Sequence, residues 1–127
     1  MSYQPTYFKE AEFARCSPAC KMSDLSDTLL HKLDAARELC GFPFIVNSAY
    51  RTVEYEKSKG RKGTSSHTKG LAVDLRCGSS YIRFRMVQAL VQVGFCRIGL
   101  YPTFIHADLD DSKVSAIWLD ETDICWG

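Results

Sequence analysis

"SSHTKGLAVDLRC", residues 65–77, runs from a polar, glycine-punctuated loop into a strand, and its alternation governs how the rest of the chain is read. Leu71, Val73 and Leu75 share one side at period two, and Ala72, Asp74 and Arg76 share the other. The spacing therefore predicts a strand with an apolar core face and a carboxylate on its opposite face. Upstream, FPFIVNSAYRT (42–52) is β-branched and aromatic and reads as a second strand. The intervening VEYEKSKGRKGTSSHTKG (53–70) reads as loop with a helical turn at its start. Before these, Leu25, Leu29, Leu33, Ala36 and Cys40 recur at helical spacing, predicting a helix over about 24–40 with Ser23 as cap and Gly41 as stop.

Downstream, SSYIRFRMVQALVQVG (79–94) has a serine cap, an apolar stripe and a closing Gly94, the pattern of another helix. FCRIGLY, FIHADLD and SAIWLD then read as three short strands in a meander. The first twenty-two residues read as a segment docked by Tyr7, Phe8 and Phe13. This order predicts an α+β fold, one domain over 1–127, with a largely antiparallel sheet flanked by helices. With 127 residues, 46% of them hydrophobic, the chain is long enough to bury a core.

Sixteen Lys and Arg against fifteen Asp and Glu leave a formal charge of +1, which gives no broad footprint for nucleic acid or an anionic membrane. No export signal is read in MSYQPTYFKEAEF, and no run of eighteen apolar residues occurs. Six cysteines, Cys16, Cys20, Cys40, Cys77, Cys96 and Cys125, allow pairing without requiring it. The C-x3-C spacing of Cys16 and Cys20 favours a local disulfide or a pair of buried thiols over a second metal site.

Alternation also applies to FIHADLD (104–110). Phe104, His106 and Asp108 take one face, while Ile105, Ala107 and Leu109 take the core face. If this strand and LAVDL share a sheet, Asp74 and His106 face the same cleft. His67 precedes the strand in a loop given freedom by Gly63 and Gly70. Two histidines and a carboxylate suit Zn²⁺ with a fourth position left to water, an arrangement fit for amide hydrolysis. On periodicity alone, a surface histidine and a capping or paired aspartate explain the same residues.

The pattern S-x-H-x-x-G-x-A-x-D runs through Ser65, His67, Gly70, Ala72 and Asp74. With GLYPTFIHADLD downstream and NSAYRT upstream, it resembles the zinc D-alanyl-D-alanine carboxypeptidase family of peptidoglycan peptidases, in its short, single-domain branch. EFARCSPAC resembles the opening of that branch, and the likeness extends from about Phe8 to Trp118. The resemblance implies one zinc ion held by His67, Asp74 and His106, and peptidoglycan stem peptides as substrate. It further implies that Arg51 stabilises charge on the scissile carbonyl oxygen and that Ser65 lines the substrate pocket.

One position departs from the family pattern. Where many relatives carry a Glu or Asp three residues before the last histidine, this chain has Thr103. Asp108 is the nearest carboxylate in sequence, either as proton acceptor or as a partner that orients a ligand histidine. The expected function is a zinc peptidase, cutting as carboxypeptidase or endopeptidase in a bacterial wall system or a phage endolysin. The alternative is a zinc-bearing binding module that has lost catalysis, as in signalling domains that resemble hedgehog. A monomer is expected.

Lys57, Lys59, Arg61, Lys62 and Lys69 surround the site, as a rim for anionic substrate or simply a solvated loop. His31 reads as a surface residue. Trp118 and Trp126 offer sugar-stacking faces, although an apolar strand argues that Trp118 is core.

Overall fold

The computed structural model describes residues 3–120. Its helices are α1 (Glu10–Ala14), α2 (Asp27–Cys40), α3 (Val53–Ser58) and α4 (Ser80–Val93). Its strands are β1 (Val46–Ser48), β2 (Ala72–Arg76), β3 (Arg97–Leu100), β4 (Phe104–Asp108) and β5 (Ala116–Leu119). Short 3-10 turns occupy Met22–Asp24 and Ser66–Lys69. One five-stranded sheet has the order β1-β2-β4-β3-β5, and only the β3–β5 pair is parallel. The α+β class with a largely antiparallel sheet is borne out, but the last three strands are not a meander. Rather than pairing with β4, β5 crosses to the far side of β3.

The two long helices form for the reasons their sequences suggest. Ser79 accepts from the Ile82 amide at the start of α4, and Gly94 ends it with φ 106°. Gly41 ends α2 in the left-handed region at φ 79°. The start of α2 differs from expectation. Ser23 lies inside a 3-10 turn, and the cap is Ser26, whose Oγ accepts from Leu29 N at 3.0 Å. That turn buries Met22 and Leu25 in the core before the helix begins.

Leu29, Leu33 and Ala36 of α2 and Met86, Ala89 and Leu90 of α4 form one cluster with Val73, Leu75, Ile98, Ile105 and Ala107 of the sheet. The predicted core faces of β2 and β4 are therefore the observed ones. Phe8 and Phe13 dock into the same cluster, whereas Tyr7 stays exposed. The N-terminal segment is held instead by Asp34 of α2, which accepts from the Thr6 and Tyr7 amides and from Tyr3 Oη. The five described cysteines are free thiols, and Cys125 and Trp126 lie outside the described residues.

The strand expected across 42–52 is confined to Val46–Ser48. Its register against β2 shifts between Val46, opposite Leu75, and Ser48, opposite Asp74. Such a bulge lets Val46 face the core while Ser48 turns toward the opposite side. Beyond it the backbone pairs with the turn that carries His67: Ala49 O meets His67 Nδ1, and Arg51 N donates to His67 O. The strand ends early because its backbone groups are engaged by that turn.

Candidate metal centre and its cleft

A single row of residues crosses the non-core face of the sheet. Ser48 pairs with Asp74, Asp74 with His106, His106 with Gly99, and Gly99 with Trp118. Sheet register alone thus brings Asp74 beside His106. His67 joins them from the Ser66–Lys69 turn, which closes at Gly70 with φ 70°. A side chain at residue 70 would place its Cβ 2.5 Å from Asp24 O, so the turn can pack here only with glycine. The cluster lies in a cleft of about 390 Å³ that also takes in Arg51, Glu56, Ser65 and Trp118.

His67 Nε2 is 3.3 Å and His106 Nδ1 is 3.0 Å from the same oxygen, Asp74 Oδ1. One ligand atom from each of the three residues lies within 4.8 Å of the others. Each ring is oriented through its other nitrogen. His67 Nδ1 lies 2.6 Å from Ala49 O; a carbonyl only accepts, so Nδ1 carries a proton there and Nε2 is the nitrogen turned to the cleft. His106 Nε2 lies 2.7 Å from Asp108 Oδ2, which directs Nδ1 toward Asp74. Two oriented imidazoles and a carboxylate match the donor chemistry of Zn²⁺, and the partners on the far side of each ring are those that metal-binding histidines require.

Charge alternates through the site. Arg51 donates from Nε to Ser48 Oγ at 3.1 Å, from Nη1 to Glu56 Oε2 at 3.3 Å and from Nη2 to Asp74 Oδ2 at 3.1 Å. Burial opposes charge on Asp74, but hydrogen bonds from His106 and His67 and their charge hold its carboxyl far below the usual carboxylate range. Burial likewise disfavours a charged His106, yet hydrogen bonds to Asp108 and Asp74 raise its pKa.

Asp108 is completely buried. It accepts from His106, from the Asp110 amide at 3.0 Å and from Arg97 Nε at 3.3 Å. Burial pushes its carboxyl up, and the His106 bond, the Asp110 amide and the charges of His106 and Arg97 more than reverse this. Ser65 donates its hydroxyl proton to Glu56 Oε2 at 2.6 Å, which leaves oxygen lone pairs as its remaining hydrogen-bonding capacity. Thr103 sits exposed in the β3–β4 connection, with no carboxylate in its place.

Two features of the cleft were not assigned from sequence. Glu56, from α3, is almost wholly buried, and burial, which raises its pKa, is outweighed by Ser65 and Arg51. Trp118 is a wall of the cleft: Ile117 and Leu119 on the other face of β5 are exposed, while its indole lies 5.4 Å from the His106 ring and donates to Tyr101 Oη. Arg97 sits 4.9 Å over the indole. Gly99 leaves room for it, since a Cβ there would meet the indole at 2.6 Å. Gly99→Ala is expected to cost about 1–3 kcal/mol by overpacking and to shift tryptophan fluorescence as the indole is displaced. Unchanged denaturation midpoint and emission would remove this account of Gly99.

A polar cluster fastens the His67 turn to the chain beyond β4. Asp110 Oδ2 accepts from Ser66 Oγ at 2.8 Å and from Lys69 Nζ at 3.0 Å, while Oδ1 accepts from Ser112 Oγ at 2.6 Å. Burial raises the Asp110 carboxyl, and the bonds from Ser112, Ser66 and Lys69 lower it well past its ordinary value. A depressed folded pKa stabilises the fold above the unfolded value of about 3.9, and that contribution is lost as pH falls through the folded value. Asp110→Asn should therefore destabilise the protein by about 1–3 kcal/mol at neutral pH, with the gap to wild type narrowing as pH falls below about 4. Urea denaturation at neutral and acid pH checks this; a gap that widens in acid would contradict it.

The α+β fold thus sets a His-Asp-His group able to hold a metal ion in a cleft beside a fixed arginine. The chain matches the Peptidase M15 family model over residues 6–108 and belongs to that family. M15 peptidases are zinc-dependent, so the chain is of the metallopeptidase class, and the matched span contains Arg51, Glu56, Ser65, His67, Asp74, His106 and Asp108. Trp118 lies beyond it. A search of curated proteins finds no match to the chain.

Proposed function

We propose that this protein is a zinc peptidase that hydrolyses peptide bonds in the stem peptides of bacterial cell-wall peptidoglycan, as a D,D-carboxypeptidase or an endopeptidase. The observation that carries the proposal is the convergence of His67, Asp74 and His106 in a cleft where Arg51 is bonded to the same aspartate. His67 Nε2, Asp74 and His106 Nδ1 would hold one zinc ion, which when bound polarises a carbonyl and acidifies water. Arg51 has N–H groups beyond those engaged by Ser48, Glu56 and Asp74, and these receive the charge that develops on the carbonyl oxygen. Ser65 offers its lone pairs to a substrate N–H. One chain supplies the three metal-binding residues, Arg51 and Ser65, which supports a monomer as the active species.

Asp108 has two roles open to it, and its surroundings favour holding His106 in register over taking a proton. Its oxygens are engaged by His106, Arg97 and the Asp110 amide, and it is sealed from solvent. Asp108→Asn should then weaken zinc affinity about 10–100-fold, with much of the rate recovered at saturating zinc. A variant with unchanged zinc affinity and no turnover would restore the proton-acceptor role.

The function is tested by digesting purified peptidoglycan with the zinc-loaded protein, with and without chelator, and weighing the products. Release of D-alanine identifies the carboxypeptidase, and cleaved cross-links or stems identify the endopeptidase. A binding module of the same fold is the second reading, kept open by Thr103 in place of a carboxylate. Stoichiometric zinc with no cleavage would establish that reading.

A further inference from the structure

Glu56 is the one charged group of the cleft whose burial has no explanation in metal binding. It sits in a six-residue helix that is otherwise exposed or half-buried, yet only 1% of its surface is accessible. An ionised carboxylate is costly to bury unless it is paired. Its backbone is fixed at both ends of α3. Thr52 Oγ1 caps the helix at the Tyr55 amide, and the Gly60 and Arg61 amides donate back to Lys57 O and Glu56 O, with Gly60 at φ 81°.

This frame carries a single carboxylate oxygen, Oε2, to two cleft residues at once: Arg51 Nη1 at 3.3 Å and Ser65 Oγ at 2.6 Å. The other oxygen, Oε1, is buried with no hydrogen-bond partner among the described residues. A carboxylate kept in this half-satisfied state is poorly placed to serve stability alone, because each unmet buried acceptor is costly.

We propose that Glu56 is a positioning residue of the active site, which fixes the Arg51 guanidinium and the Ser65 hydroxyl in one orientation toward the substrate. This rests on the peptidase reading for its consequence in catalysis. Asp74 holds one side of the Arg51 fork, Ser48 the Nε–H, and Glu56 the other side, so removing Glu56 frees the guanidinium to rotate toward Asp74. The serine loses the acceptor that orients its hydroxyl in the same event. Glu54, two residues earlier on the same helix, is exposed and has no such part.

The test is a kinetic double-mutant cycle on the zinc-loaded protein with Glu56→Ala, Glu56→Gln, Arg51→Ala and Glu56→Ala/Arg51→Ala, using Glu54→Ala as control. Glu56→Ala should lower kcat about 10–100-fold, the range seen for partners that orient active groups, with KM changed far less. In the Arg51→Ala background the same change should cost less than about 3-fold, because coupled residues are not additive. Losses that simply multiply would overturn the proposal.

A second readout does not depend on turnover. The Arg51 Nε–H resonance in nitrogen-resolved NMR should be sharp and slow to exchange in wild type, and broadened in Glu56→Gln, which preserves shape if the alanine variant does not fold. An Arg51 resonance indifferent to Glu56 would overturn the positioning role even if the protein cleaves peptidoglycan. Loss of that resonance in a protein without peptidase activity would uphold the positioning and count against the function alone.

Discussion

Asp74→Asn is expected to release the metal and abolish hydrolysis, with a loss of at least about 10³-fold, beyond that of a single lost oxyanion donor. Asp74 is where three parts of the site meet. Its Oδ1 faces both histidines, and its Oδ2 takes the Arg51 guanidinium. Burial opposes its charge, and the bonds from His106 and His67 hold its carboxyl well below the usual carboxylate range. The amide keeps the volume but removes the charge, and one of its two ends becomes a donor facing either the histidines or the guanidinium. Zinc analysis after dialysis, thermal melting and peptidoglycan digestion measure the three consequences. Retained stoichiometric zinc together with wild-type cleavage would sink the assignment of Asp74 as ligand.

That Asp74 and His106 share a cleft was legible because strand alternation is a local property. Leu71, Val73 and Leu75 require Asp74 to point away from the core, and Ile105 and Ala107 do the same for His106. What alternation cannot supply is the order of strands in the sheet. The parallel placement of β5 beside β3 depends on the crossing after β4 and on the gap above Gly99, neither of which has a period. Trp118 therefore reads as core from sequence, although it lines the cleft.

Glu56 was hidden for a related reason. Glu54 and Glu56 are alternating acids in one short polar stretch, and only the helix formed between Thr52 and Gly60 separates the exposed from the buried one. Ser23 reads as the cap from its place before the apolar stripe, but the 3-10 turn at Met22–Asp24 takes it in and moves the helix start one turn on, to Ser26. The two roles left open for Asp108 could not be separated from sequence either, because they differ only in whether its oxygens are already engaged. The hydrogen bonds from Arg97, Asp110 and His106 bear on that question: the first arises from the pairing of β3 with β4, the second from the turn beyond β4, and the third from the face that His106 and Asp108 share on β4.

Arg51→Ala is expected to lower kcat about 10²–10³-fold, the loss typical of one donor to a developing oxyanion, with bound zinc retained. The guanidinium is half-buried and makes three hydrogen bonds, out of the five N–H donors it possesses. The donors left over are fixed in direction by the ones in use, so in the proposed role they would stabilise charge without reorganising as it forms. Arg51→Lys separates this role from plain electrostatics. A lysine keeps a positive charge near Asp74 and Glu56, but its single ammonium cannot reach Ser48, Glu56 and Asp74 together and still face the substrate. If fixed direction is what matters, the lysine variant should melt close to wild type and remain about 10-fold or more below it in kcat. Near-complete rescue by lysine would instead mean that Arg51 acts by charge alone, neutralising two buried carboxylates, and that the oxyanion is held by other groups. The alanine variant leaves Asp74 and Glu56 without their shared counter-ion, so its melting temperature must be measured beside its rate, and the lysine comparison is the one that isolates geometry.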